Sequence, residues 1–204
     1  MNSTLKWLIP VGVLVLIVMA FYGKIVGFNN TAIQLQQDSK TAWGNVESSY
    51  QRRNDLIGNL VNTVQGAANF EKSTLTDVIE ARAKATAVTI DPSKVTPAQL
   101  EAFQKSQTGV SSALSRLMVS VEKYPDLKAN ENFLRLQAEL EGTENRIKTA
   151  RDRYNGSVNP YNMHILSFPN SFINSAFGFN FKELPYFKSD AGAEKAPTVK
   201  FDFK

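Results

Sequence analysis

From Thr31 to Val88 the chain contains no proline, and its inward positions recur in steps of three and four. They are Leu35, Ser39, Ala42, Val46, Ser49, Arg53, Ile57, Leu60 and Val64, then Ala67, Glu71, Leu75, Val78, Arg82 and Ala85. This spacing marks one face of an amphipathic helix and approaches a heptad seam. The phase survives "QGAANFEKS", so the pattern predicts one very long helix, kinked near Gly66, or two helices broken there. "TIDPSKVTP" ends it with two prolines and several turn formers.

A second helix is expected from Thr96. A threonine N-cap, Pro97 at the first helical position and Gln99 three residues after the cap make a capping box. Its seam is Leu100, Phe103, Gln107, Val110, Leu114, Leu117, Val121 and Tyr124. After the turn "KYPDLKANEN", a third helix is expected from about Asn130 to Phe168, bent but not ended by Pro160 and ended by Pro169. Its inward line reads Phe133, Gln137, Leu140 or Glu141, Glu144, Ile147, Arg151, Tyr154, Val158, Tyr161 and Ile165. Long periodic helices joined by short turns predict an all-α, antiparallel up-and-down bundle, of three long helices or of four if the first breaks near Gly66.

The first 26 residues have a different pattern. "WLIPVGVLVLIVMAFYG", Trp7 to Gly23, carries no charge, with Lys6 before it and Lys24 after it. Seventeen residues make about 25 Å of helix, near the lower limit for crossing a bilayer. Trp7 and Tyr22 stand where interfacial aromatics belong. A cleaved signal peptide is the competing reading, with Val18 and Ala20 as its small residues; the length of the run and Lys24 favour an uncleaved anchor. The amino terminus and Lys6 together outweigh Lys24, which favours an extracytoplasmic soluble domain. The expected organisation is a flank at 1–6, a transmembrane anchor at 7–26, a helical bundle at 27–168, a Phe-rich segment at 169–190 and a flexible tail at 191–204 ending in a short strand.

Charge and composition narrow the function. The net charge is +4, yet no long stretch departs from neutrality by more than two charges, which argues against a nucleic-acid partner. No cysteine is present and only one histidine, His164, so disulfides, thiolate catalysis and cysteine-ligated zinc are excluded. His164 has Tyr161 three residues before it rather than the Glu of a di-iron bundle, and reads as a packed or capping residue. No phosphate loop, nucleophile elbow or Ser/His/Asp set is present. The expectation is therefore no catalysis, no metal and no cofactor.

Six charged positions fall on or beside the seams: Arg53, Glu71 and Arg82 of the first helix, and Glu141, Glu144 and Arg151 of the third. Antiparallel pairing would let them meet as a polar network that fixes helix register, whereas long side chains can also snorkel to water. Arg53 lies on the seam and Arg52 beside it.

Eight of the thirteen phenylalanines lie at or after Phe168. "SFINSAFGFNF", with Phe172, Phe177, Phe179 and Phe181, has more apolar surface than a free tail exposes; it packs on its own bundle, on a neighbouring copy, or on lipid headgroups. In "TVKFDFK", Val199, Phe201 and Phe203 alternate with charges and would share one face of a strand able to join a partner.

"YQRRNDLIGNLVNTVQGAANFE", "VIEARAKA", "EKYPDLKANENFLRLQAELEGTENRIKTARDRYN" and "YNMHILSFP" together resemble the LemA family, over about Trp43 to Phe203. Two positions depart from that pattern: Gly58 stands where proline often follows "DLI", and Gln65–Ala68 reads "QGAA" rather than "KGYA". The resemblance implies a bacterial membrane protein with one N-terminal transmembrane helix, a helical bundle and no established catalysis. The function expected is a single-pass, non-catalytic scaffold of the bacterial plasma (inner) membrane that self-associates and organises or shapes the cell envelope. Its partners would be the lipid bilayer, further copies of itself and another envelope protein. The alternative is a regulatory adaptor or accessory subunit docking through its C-terminal tail.

Overall fold

The computed structural model describes residues 3–66 and 70–188; for residues 3–7 it gives the backbone path alone. All regular structure among the described residues is helical: α1 (Ser3–Gln65), α2 (Lys72–Thr86), α3 (Pro97–Val121), the single turn α4 (Pro125–Lys128), α5 (Glu131–Leu166) and α6 (Asn170–Ala176). The capping box at Thr96 forms as its residues require, Asn130 caps α5 by accepting from the Phe133 amide, and Pro160 is carried inside α5.

Of the two readings of Thr31 to Val88, one kinked helix is corrected and two helices broken near Gly66 holds. α1 ends at Gln65, and α2 returns alongside it, so that the Arg82 guanidinium lies over Gly58. The approach is close: a Cβ at Gly58 would sit 3.4 Å from Arg82 Nη1, in contact with the guanidinium. The helix also starts earlier than the bundle pattern implied. The apolar segment and the first bundle helix are one continuous element of 63 residues.

α1 pairs most extensively with α5 and α2 with α3, each pair antiparallel, as Phe28 against His164, Arg53 against Glu144 and Asp77 against Arg116 show. Two cores result. The distal core is mainly aliphatic, gathering Ile57, Leu60, Val64, Val78, Leu117 and Leu140 from all four long helices. The proximal core, on the side of the apolar segment, is aromatic: Phe28, Trp43, Tyr50, Phe103, Tyr154, Tyr161 and Phe187. There α1 and α5 run on past the end of α2. The missing helix face is closed by Ile90 and Val95 of the α2–α3 connection and by the chain after α6.

Candidate functional site

One buried polar layer lies between the two cores. Arg53 projects from α1 and is only 1% exposed. Its Nη1 donates to Glu144 Oε1 at 3.0 Å and to Ser111 Oγ at 3.3 Å, and its Nη2 donates to Gln107 Oε1. The guanidinium also lies over the Tyr50 ring, 5.0 Å from its centroid. Gln107 in turn reaches the Ala85 carbonyl at the end of α2. Arg53 thereby bonds to α3 and α5 directly and to α2 through Gln107. Its planar fork of donors suits this geometry, since several acceptors can be met at once. Arg52, one residue away, makes a surface pair with Glu139 at 3.2 Å, both partners well exposed.

The other four members of the expected network lie elsewhere, for two physical reasons. The break after α1 resets the helical phase, so Glu71 becomes the exposed residue before α2, accepting from Ser73, and Arg82 stays half-buried over Gly58. On α5 the buried line shifts by one residue to Leu136, Thr143 and Ala150, leaving Gln137, Glu144 and Arg151 on its flank. Glu144 still reaches inward to Arg53 with its own side chain 44% exposed. Glu141 is exposed and accepts from Gln137, whereas Arg151 serves the C-terminal segment.

That segment, residues 179–188, runs without regular structure along the proximal core. Backbone outside helix and sheet needs other partners for its amides and carbonyls, and side-chain amides of α5 and α6 supply them. Asn162 donates to the Leu184 carbonyl at 2.8 Å and accepts from the Leu184 amide at 2.9 Å. Asn155 does the same at Phe187 and Asn174 at Phe181. Tyr161 and Tyr154 hydroxyls donate to the Lys182 and Pro185 carbonyls, and Arg151 and Gln104 both donate to Lys188. Burial pushes both tyrosine hydroxyls up from 10.0 to about 12. Phe187 is stacked on Trp43, with ring planes 6° apart, and the Arg151 guanidinium lies over the Phe187 ring, 5.0 Å from its centroid.

Of the alternatives for the Phe-rich segment, residues 179–188 take the first and pack on their own bundle. Phe179 and Phe181 pack against Phe28. Phe172 and Phe177 remain 61% and 48% exposed. Tyr22 is exposed at the end of the apolar run; the Trp7 side chain, and Val199, Phe201 and Phe203, lie outside the described residues. His164 is a packed residue, stacked on Phe28 with Nε2 3.1 Å from the Phe28 carbonyl.

Sequence reasoning assigned no role to Asn155 or Asn162. Their signal was available: seven residues apart, they share a face of α5, and asparagine beside a buried helix line needs a partner for both ends of its amide. Trp43 was passed over in favour of its neighbour Ala42, although Trp43 is buried at the centre of the aromatic core.

The apolar half of α1 is long and apolar enough to cross a membrane, and none of its most apolar 18-residue window is buried in the bundle. No group of three or more His, Asp or Glu among the described residues is placed to hold a metal ion. The chain is 28% identical over 195 residues to magnetosome protein MamQ 2 of Paramagnetospirillum magneticum, covering 85% of this chain and 70% of that protein. It is 27% identical over 175 residues to protein LemA of Metamycoplasma hominis, covering 82% and 76% respectively. MamQ of Magnetospirillum gryphiswaldense is 26% identical, over 85% of this chain and 69% of that protein. The family model for LemA matches residues 42–201, and the chain belongs to the LemA family.

Proposed function

We propose that this protein is a non-catalytic, single-pass membrane scaffold that self-associates and organises or shapes the bacterial envelope. One observation carries the reading: α1 continues without a break from the apolar segment into the bundle core. A helix of 63 residues extends about 95 Å. A chain that binds a small substrate has no need of such a rod, whereas a device that holds a body at fixed distance and angle from a bilayer does. The buried layer at Arg53 supports the same reading, because it ties α1 to α3 and α5 directly and to α2 through Gln107, as a register-setting contact would. In this reading the soluble part lies on the extracytoplasmic side of the plasma (inner) membrane, the side that the charges flanking the apolar run favour.

The adaptor reading shares the anchor and differs in what the bundle meets. Full-length protein in mild detergent, weighed by light scattering after size exclusion, separates the two. A regular homo-oligomer is the expected result. A monomer that leaves the membrane bound stoichiometrically to a different protein would replace the scaffold with the adaptor.

A further inference from the structure

Beyond the anchor, exposed apolar residues such as Val119, Ile33 and Leu134 stand singly, but four gather at one place in the bundle. Phe168 is 86% exposed, Phe172 61% and Leu166 57%, with Phe177 beside them at 48%. They occupy the end of α5, the turn after it and α6. α6 turns Ile173 inward and Phe172 outward. Solvated helices do not present such a set without a reason.

Three observations indicate what covers it. The first is position. The Phe177 ring lies 6.1 Å from the ring of Phe21, in the last turn of the charge-free run of α1, so the patch adjoins the level at which α1 would leave the hydrocarbon. The second is charge. From Tyr154 to Phe181 the chain carries no Asp, Glu, Lys or Arg for 28 residues, and the run is closed by exposed Lys182 at the same end of the bundle as Lys24, since the neighbouring Phe181 packs on Phe28. The third is internal satisfaction of polar groups. Asn170 donates to the His164 carbonyl at 2.9 Å, Asn174 is bonded at both ends to Phe181, and Ser167 donates to the Met163 carbonyl. Polar groups that enter a layer poor in water need such partners.

We propose that α6 and the Leu166–Phe168 turn insert their aromatic face into the interfacial layer of the leaflet that α1 leaves, a second membrane contact beside the spanning helix. Aromatic side chains suit this depth, and Lys24 and Lys182 would reach lipid phosphates. One helix alone leaves the bundle free to lean; a second contact sets its tilt. This inference rests on the reading of the apolar half of α1 as membrane-spanning.

The absence of cysteine makes a labelling test direct. Single variants Leu14→Cys, Phe172→Cys and Val119→Cys of the full chain, each at an exposed position, are spin-labelled and reconstituted in vesicles of phosphatidylethanolamine and phosphatidylglycerol. Collision with oxygen, which enters lipid, is compared with collision with a water-soluble nickel chelate. Val119, near the far end of α3, reports the aqueous reference. The expected result is oxygen-favoured collision at 172 as at 14, and nickel-favoured collision at 119. A lipid-like signal at 14 with a water-like signal at 172 overturns this inference and leaves the anchor standing. A label at 172 shielded from both reagents means a protein surface covers the patch, and also overturns it. A water-like signal at 14 removes the anchor and the inference with it.

Discussion

The distal and proximal halves of the bundle solve the same problem with different residues. Distally, four helices surround a mainly aliphatic core and satisfy their own backbones, so Ile57, Leu60, Val64 and Leu117 need only fill space. Proximally, two long helices run on without that company. An irregular segment closes the gap and brings unpaired amides and carbonyls with it. Here the residues are large rings and asparagines: Trp43, Tyr154 and Phe187 fill a wide irregular volume, while Asn155 and Asn162 bond backbone that has no ladder of its own. The difference teaches that aromatic and amide side chains in a helical protein can stand in for a missing helix. Arg53 marks the level at which one solution gives way to the other.

This contrast can be broken most severely at its aromatic centre. Trp43→Ala is expected to cost roughly 3–5 kcal/mol and Leu117→Ala roughly 2–5. Urea unfolding measures both costs. The two should differ in kind as well as size. Loss of the Trp43 ring removes the surface under Phe187, so trypsin should cut sooner after Lys182 in that variant, and not in Leu117→Ala. Equal cutting in both would mean that the segment is held independently of the aromatic core.

At the boundary, Arg53→Met is expected to cost about 3 kcal/mol, the low end for breaking a buried pair, because half-exposed Glu144 can turn to water while Gln107 loses its donor. Arg52→Met should stay within about 0.5 kcal/mol, as an exposed pair does. Thermal melting of the two variants side by side checks this; similar small shifts would remove Arg53 from its place as the register-setting residue.

The smallest effect concerns single hydroxyls. Tyr161→Phe loses one bond to the Lys182 carbonyl, about 1 kcal/mol. The folded protein holds the Tyr154 and Tyr161 protons more tightly than the unfolded chain does. Their contribution is complete below pH 10 and is lost between pH 10 and about 12. Chemical unfolding across that range should show stability falling with pH, less steeply in Tyr161→Phe. An unchanged slope would separate the alkaline loss from this tyrosine.

Helix type, capping and the antiparallel arrangement were legible in the sequence because they depend on local chemistry and on period. Thr96 and Asn130 act through residues three positions away, and both caps form as read. Phase over long distances was less legible. The seam was carried through "QGAANFEKS" because the spacing allowed it, yet α1 stops at Gln65, and Glu71 and Arg82 fall out of line. On α5 the sequence offered Glu144 and Arg151 beside the smaller Thr143 and Ala150, and burial favoured the smaller residues. The clamp on residues 179–188 was legible from one side alone. Asn155 and Asn162 show that a partner is needed, but that partner is backbone, which has no sequence signature.

The unbroken course of α1 has a mechanical consequence. A receptor or enzyme tethered by a linker swivels freely above its anchor. In this chain the two share one helix, with no joint between them. Turning the anchor about its long axis turns the bundle through the same angle. Copies whose anchors were aligned side by side would thus present their bundles in one common compass direction, and order in the plane of the membrane would be copied outward into space.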